Sequence, residues 1–66
     1  MKTLIEFNDG YDRIELIDNG VILSLNHIAD TTDLISTEVF QRTEFAKARK
    51  QFFATLNRLE SSFVDA

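Results

Sequence analysis

The sequence predicts an α+β fold in which a three-stranded antiparallel meander, residues 2–7, 12–18 and 21–28, packs against one C-terminal helix, residues 37–63. Two Asx-Gly pairs separate three short segments rich in aliphatic and β-branched residues, which is typical of β-hairpins. The chain contains neither proline nor any glycine after Gly20. From Phe45 to Phe63 apolar residues recur every three or four positions, as in an amphipathic helix. Together these observations predict one small domain, βββα, over residues 1–66.

The two turns fix the expected register of the meander. Asp9-Gly10 and Asn19-Gly20 supply the positive-φ residues of type I′ turns, so each predicts a two-residue hairpin loop. Ile5 then lies opposite Ile14, and Ile14 opposite Leu25. Both hairpins place the same apolar residues on one face, which a slip of one residue would scatter. This predicted core face consists of Ile5, Phe7, Ile14, Leu16, Val21, Leu23 and Leu25.

The C-terminal segment provides the layer that covers this face. Residues 29–37 are rich in Asp, Ser and Thr and are expected to form the connection, with Ser36 or Thr37 as the helix N-cap. A helix start near Thr32 is the alternative, because Leu34 would then fall on the same stripe. The predicted stripe consists of Phe45, Ala48, Phe52, Leu56, Leu59 and Phe63.

Size and charge restrict the function. A chain of 66 residues buries a small core, and the absence of cysteine excludes disulfides and thiolate zinc sites. Oligomerisation or a very well packed core remains as the source of stability, and of these we expect self-association. Residues 1–37 carry two basic and seven acidic side chains, a net charge of −5, whereas residues 38–66 carry a net charge of +1. The acidic half disfavours direct binding to nucleic acid or to an anionic membrane.

No motif for catalysis, metal or cofactor binding is present. His27 is the only histidine, and no second ligand type lies at metal spacing from it, so we interpret it as structural. The acidic residues around the first turn lack the EF-hand spacing, and no glycine-rich phosphate loop occurs. We therefore predict a protein that is not an enzyme and needs no cofactor. No apolar run is long enough for a signal peptide or a membrane helix, so a cytoplasmic location is expected.

Surplus apolar residues predict a protein-binding module, with a second copy as the expected partner. Ile17 and Ile22 would pair on the outer sheet face, although branched residues also occur there simply because they suit strands. Phe40 and Phe53 would form either a second apolar surface or additional core. Arg49 occupies a seam position of the stripe, where it would either reach water or meet an acid on a partner. The predicted contact residues are Leu4, Ile17, Ile22, Phe40, Arg49 and Phe53.

The acidic half supports an alternative function. In this hypothesis the chain is a compact inhibitor, of the kind that phages encode against host defence, and it blocks the nucleic-acid-binding surface of a partner. Carboxylates on its turns and strands would replace phosphates. The residues in question are Asp9, Asp12, Glu15, Asp18, Asp30 and Asp33.

Overall fold

The computed structural model describes residues 1–30 and 33–64, with side chains as far as Glu60. Four strands form one antiparallel sheet in the order β1-β2-β3-β4, and a single helix follows them. The α+β class is therefore confirmed, but the prediction of three strands is wrong. The elements are β1 (Lys2–Asn8), β2 (Asp12–Asp18), β3 (Ile22–Ala29), β4 (Asp33–Gln41), one 3-10 turn (Arg42–Glu44) and α1 (Phe45–Val64). The predicted helix start at Thr32 and the position of the Phe63 side chain on the stripe lie outside the described residues.

The first turn is held by the side chains that precede its glycine. Asn8 Oδ1 accepts a hydrogen bond from Gly10 N at 2.8 Å. Asp9 Oδ1 accepts two, from Tyr11 N at 2.9 Å and from Asp12 N at 2.7 Å. Gly10 has φ +88°, a conformation that L-residues with a side chain rarely adopt. The turn is thus fixed by local side-chain-to-backbone bonds rather than by the sheet alone.

The second turn repeats this arrangement with the amide and the carboxylate exchanged. Asp18 Oδ1 accepts from Gly20 N at 2.8 Å, in the place of Asn8. Asn19 Oδ1 accepts from Val21 N and from Ile22 N, both at 2.9 Å, in the place of Asp9. Gly20 has φ +94°. Asp and Asn serve equally in these positions because only a carbonyl-type oxygen is required.

Both hairpin loops are longer than predicted, and the register shifts by two residues. Leu16, instead of Ile14, lies opposite both Ile5 and Leu25. From Ile5 onwards a shift of two keeps the strand side chains on their predicted faces, whereas a shift of one would reverse them. The predicted Ile17–Ile22 pair is wrong, because Ile17 lies opposite Ser24 in this register. Val21, predicted in the core, belongs to the turn and is 78% exposed.

The core lies between the helix and the middle of the sheet. The predicted strand residues Ile14, Leu16, Leu23 and Leu25 are all buried, and Ile5 and Phe7 pack partly buried against them. On the helix Ala48 and Phe52 are buried, and Leu56 and Leu59 are partly buried against the same cluster. Phe45 is exposed, because the stripe is centred on Ala48, Phe52 and the buried Thr55. The packing of the helix on this sheet face is therefore confirmed.

The fourth strand replaces the predicted loop and the first turns of the helix. Ser36 and Thr37 lie in the middle of β4, so neither is an N-cap, and the α-helix begins at Phe45. The segment is rich in Leu, Ile, Thr, Val and Phe, which favour strands, and pairing with β3 satisfies its backbone groups. The 3-10 turn begins after Gln41, whose N–H donates to Glu44 Oε1 at 3.0 Å.

Candidate protein-binding surface

The most exposed element of the sheet is β4. It lies at one edge, and eight of its nine residues are exposed. Three of these carry large apolar side chains: Leu34, Ile35 and Val39 are 61%, 58% and 59% exposed. An edge strand presents unpaired backbone N–H and C=O groups beside such side chains, which makes it a template for another strand. β4 is therefore the first candidate contact element.

On the sheet face opposite the helix, one cross-strand row that reaches β4 contains two apolar residues, Ile17 and Val39. Cross-strand pairing aligns Thr3, Ile17, Ser24 and Val39 on this face. Ile17 is half-buried and Val39 is exposed. Ile22, also half-buried, lies on the same face opposite Gln41. The predicted outer-face residues Ile17 and Ile22 are thus near an exposed valine that the sequence analysis did not select.

A polar row divides this face. Glu15, Asn26 and Thr37 lie side by side across three strands. Thr37 Oγ1 donates to Asn26 Oδ1 at 3.0 Å, and Asn26 Nδ2 donates to Glu15 Oε1 at 3.4 Å. Beyond this row Ile28 lies opposite Leu34, which forms a second apolar patch. The hydrogen bonds hold the polar row in place between the Ile28–Leu34 patch and the apolar residues Ile17, Ile22 and Val39.

Two predicted contact residues, Phe40 and Leu4, pack in or against the core. Phe40 is opposite Leu23 on the helix side of the sheet and is 8% exposed, so it belongs to the core. Leu4 packs partly buried against the core. The reason is a register irregularity between Thr3 and Ile5, which turns this part of β1 relative to its predicted alternation. We therefore omit Phe40 and Leu4 from the candidate surface.

Arg49 and Phe53 form a separate exposed pair on the helix. The guanidinium carbon of Arg49 lies 5.2 Å from the centroid of the Phe53 ring, within the range of a cation–π interaction. Phe53 also contacts the buried Phe52 edge to face, with ring centroids 5.3 Å apart. Its exposed fraction is 40%. Through these contacts both Arg49 and Phe53 stabilise the helix within the molecule.

A groove of about 450 Å³ lies between β4 and the helix. His27 is mostly buried at this end of the sheet, and its Nε2 lies 3.3 Å from Asp12 Oδ1. The groove thus borders the exposed edge strand on its helix side. Its lining consists of His27, Ile35, Ser36, Glu38, Thr55, Arg58 and Leu59. Among the described residues, no three potential ligands from His, Cys, Asp and Glu group together as a metal site would require.

The acidic residues proposed to imitate phosphates are mostly engaged within the chain. Asp9 holds the first turn, and the N–H groups of Asp12 and Tyr11 keep the pKa of its carboxyl below the ordinary value. Asp18 accepts from Gly20 N and pairs with Arg42 Nη2 at 3.1 Å, and these two contacts lower its pKa in that order.

The other four acidic residues are divided between internal and exposed positions. Glu15 contacts Asn26 and lies 3.7 Å from Arg13 Nε, and Asp12 contacts His27. Asp30, with φ +53°, and Asp33 are exposed at the β3–β4 connection. The six carboxylates therefore do not form one uniformly exposed acidic surface.

The sequence analysis missed Leu34, Ile35 and Val39 because it assigned the segment partly to a loop and partly to a helix. The signal that could have found them is the run from Leu34 to Phe40, which contains four β-branched or aromatic residues and neither glycine nor proline. The Asp, Ser and Thr residues in the segment obscured it, because they are also typical of caps.

Comparison with known proteins adds no relative: no family model matches the chain, and neither a curated protein nor a solved structure matches it significantly. In residues 1–30 and 33–64 no helix has both the length and the apolar character required to cross a membrane.

Proposed function

We propose that the protein is a small non-catalytic protein-binding module that works as a homodimer. The observation that carries the proposal is the exposure of β4, whose Leu34, Ile35 and Val39 remain uncovered by the helix or any described segment. Exposed apolar side chains beside an unpaired strand edge typically mark a contact surface. A domain with a small core also gains stability when a second copy covers such a surface.

Two exposed valines provide a matched test. Val39 lies on the candidate surface, whereas Val21 is exposed in the second turn, outside β4. Sedimentation velocity across the micromolar range should give a species of twice 7.6 kDa for the unmodified protein. Val39→Lys should shift the protein to the monomer because a charge would be buried against apolar groups. Val21→Lys should leave the dimer unchanged. A monomer at every concentration would contradict the proposal.

The alternative, an acidic inhibitor of a nucleic-acid-binding protein, has less support because Asp9, Asp12, Glu15 and Asp18 make internal contacts. Its strongest remaining residue is Asp33, which is exposed. Salt-sensitive binding to a basic DNA-binding partner that Asp33→Lys abolishes would favour this alternative. Binding that is insensitive to both salt and this substitution would argue against it.

A further inference from the structure

We infer that the groove between β4 and α1 binds a small zwitterionic ligand of the amino-acid type, with its ammonium group at Glu38 and its carboxylate at Arg58. The groove lies on the helix side of the sheet, and its lining comes from β3, β4 and α1. The inference does not depend on self-association. It adds a small-molecule site to the proposed protein-binding function.

The groove has the size and the mixed lining of a small-molecule site. Its volume of about 450 Å³ falls within the range of about 300–1,000 Å³ that is typical of ligand pockets. Ile35 of β4 and Leu59 of α1 supply apolar surface from its two sides. Leu59 packs partly buried against the core, whereas Ile35 is 58% exposed. A short aliphatic group of a ligand placed between these two residues would remove apolar surface from water.

The two sides of the groove carry opposite charges. Glu38 on β4 and Arg58 on α1 both line it, and both are exposed. Among the described residues, no ion pair joins these two side chains. A guanidinium group has five N–H donors, so Arg58 can bind a ligand carboxylate and keep another contact. A ligand with one charge is attracted to one side and repelled by the other, whereas a zwitterion is attracted to both.

His27 adds an acceptor whose orientation is fixed. Its Nε2 lies 3.3 Å from Asp12 Oδ1. Because a carboxylate only accepts hydrogen bonds, Nε2 carries the proton, and Nδ1 of the neutral ring is an acceptor. Among the described residues, Arg13 Nε is the one buried side-chain nitrogen or oxygen that lacks a partner, so Nδ1, which has none, is accessible from the groove that His27 lines. Glu38 and Nδ1 together suit the three N–H donors of an ammonium group.

Three compounds that share one aliphatic group test the inference in backbone-amide NMR titrations of the full chain. L-leucine carries both charges, 4-methylpentanoate lacks the ammonium group, and 3-methylbutylamine lacks the carboxylate. We expect leucine to shift the amide signals of His27, Ile35, Thr55 and Leu59 and to bind about tenfold or more tightly than either analogue. Equal affinities for the three compounds, shifts confined to β1 and the turns, or no shifts at millimolar leucine would overturn the inference.

Exposed residues outside the groove supply matched control variants. Glu38→Gln should lower the affinity for leucine about tenfold, to that of 4-methylpentanoate, whereas Glu60→Gln, which changes an exposed carboxylate on α1, should leave it unchanged. Arg58→Gln should lower it to that of 3-methylbutylamine, whereas Lys50→Gln should have no effect. Equal losses in a groove variant and its control would contradict the assigned contacts.

Sedimentation velocity of the same samples separates this inference from the proposed function. A monomer that binds leucine with the expected preference supports the site and removes the homodimer. A dimer that binds the three compounds equally, or binds none of them, overturns the site and leaves the homodimer.

Discussion

The replacement of Phe52 by alanine tests the packing on which every surface assignment depends. Phe52 is 1% exposed and is the largest fully buried side chain among the described residues. Replacing a buried phenylalanine with alanine costs about 3–5 kcal/mol, the sum of lost transfer free energy and the cavity left behind. Domains of 66 residues have total stabilities of about 3–10 kcal/mol. We therefore expect Phe52→Ala to be largely unfolded at 25 °C or to melt far below the unmodified protein.

The adjacent residue supplies the matched control. Phe53→Ala removes the same atoms from the same helix, but Phe53 is 40% exposed. It loses an edge-to-face contact worth about 0.5–1.5 kcal/mol and a cation–π contact with Arg49 worth about 0.5–1 kcal/mol. Together these two contacts amount to about 1–2.5 kcal/mol, below the cost expected at Phe52.

The assay is urea unfolding followed by far-ultraviolet circular dichroism, because the chain contains no tryptophan. The difference in free energy is taken from the midpoints at a common slope. Both variants should be measured at one protein concentration, since dimerisation raises apparent stability. Equal losses for the two variants, or a loss below about 1 kcal/mol for Phe52→Ala, would refute the assigned helix face.

Three further predictions concern the sheet and its turns. Phe40→Ala should destabilise the fold by about 3–5 kcal/mol in urea unfolding, because Phe40 is a core residue. A near-neutral effect would contradict its assignment to the core. Gly20→Ala should cost about 1 kcal/mol for its positive φ alone, since no atom lies within 4 Å of the added carbon; a cost near zero would contradict that conformation. The double variant Asp9→Asn, Asp18→Asn should keep both turns and lose less stability than the unmodified protein between pH 7 and pH 2, as urea midpoints measured across this range would report.

The sign of the acid effect follows from the direction of the two pKa shifts. Both carboxyls have a lower pKa in the folded chain than their ordinary value of 3.8. Their contribution to stability is therefore fully present above about pH 4 and is lost as the pH falls through the lower, folded values. Asparagine accepts the same hydrogen bonds at Asn8 and Asn19 without titrating. If the double variant lost as much stability between pH 7 and pH 2 as the unmodified protein, other carboxylates would control acid unfolding.

The sheet faces were predictable because they depend only on the parity of positions. Asn and Asp side chains lengthened both turns, yet the resulting shift of two residues kept Ile14, Leu16, Leu23 and Leu25 on the helix side. The loop length itself was not predictable from the Asx-Gly pairs. Asp9 and Asn19 each capture two backbone N–H groups beyond the glycine, which favours a longer loop.

β4 was missed because local pattern and tertiary pairing favour different structures there. Residues 34–40 lie directly before a strongly helical segment and contain no glycine or proline to mark a boundary. Pairing with β3 determines the strand, and that contact joins residues such as Leu23 and Phe40 that are distant in sequence. The same error concealed the candidate surface: Val39, assigned to a helix, could not be placed beside Ile17 and Ser24.

The concentration dependence of amide hydrogen exchange tests the central claim most directly. If β4 is the contact between copies, the outward-facing amides from Thr37 to Gln41 should exchange rapidly in dilute protein and slow at least tenfold when the protein is concentrated. Amides of β1, the other edge, should exchange equally fast at both concentrations. Exchange in β4 that is independent of concentration, or new protection confined to β1 or to the helix, would contradict the account.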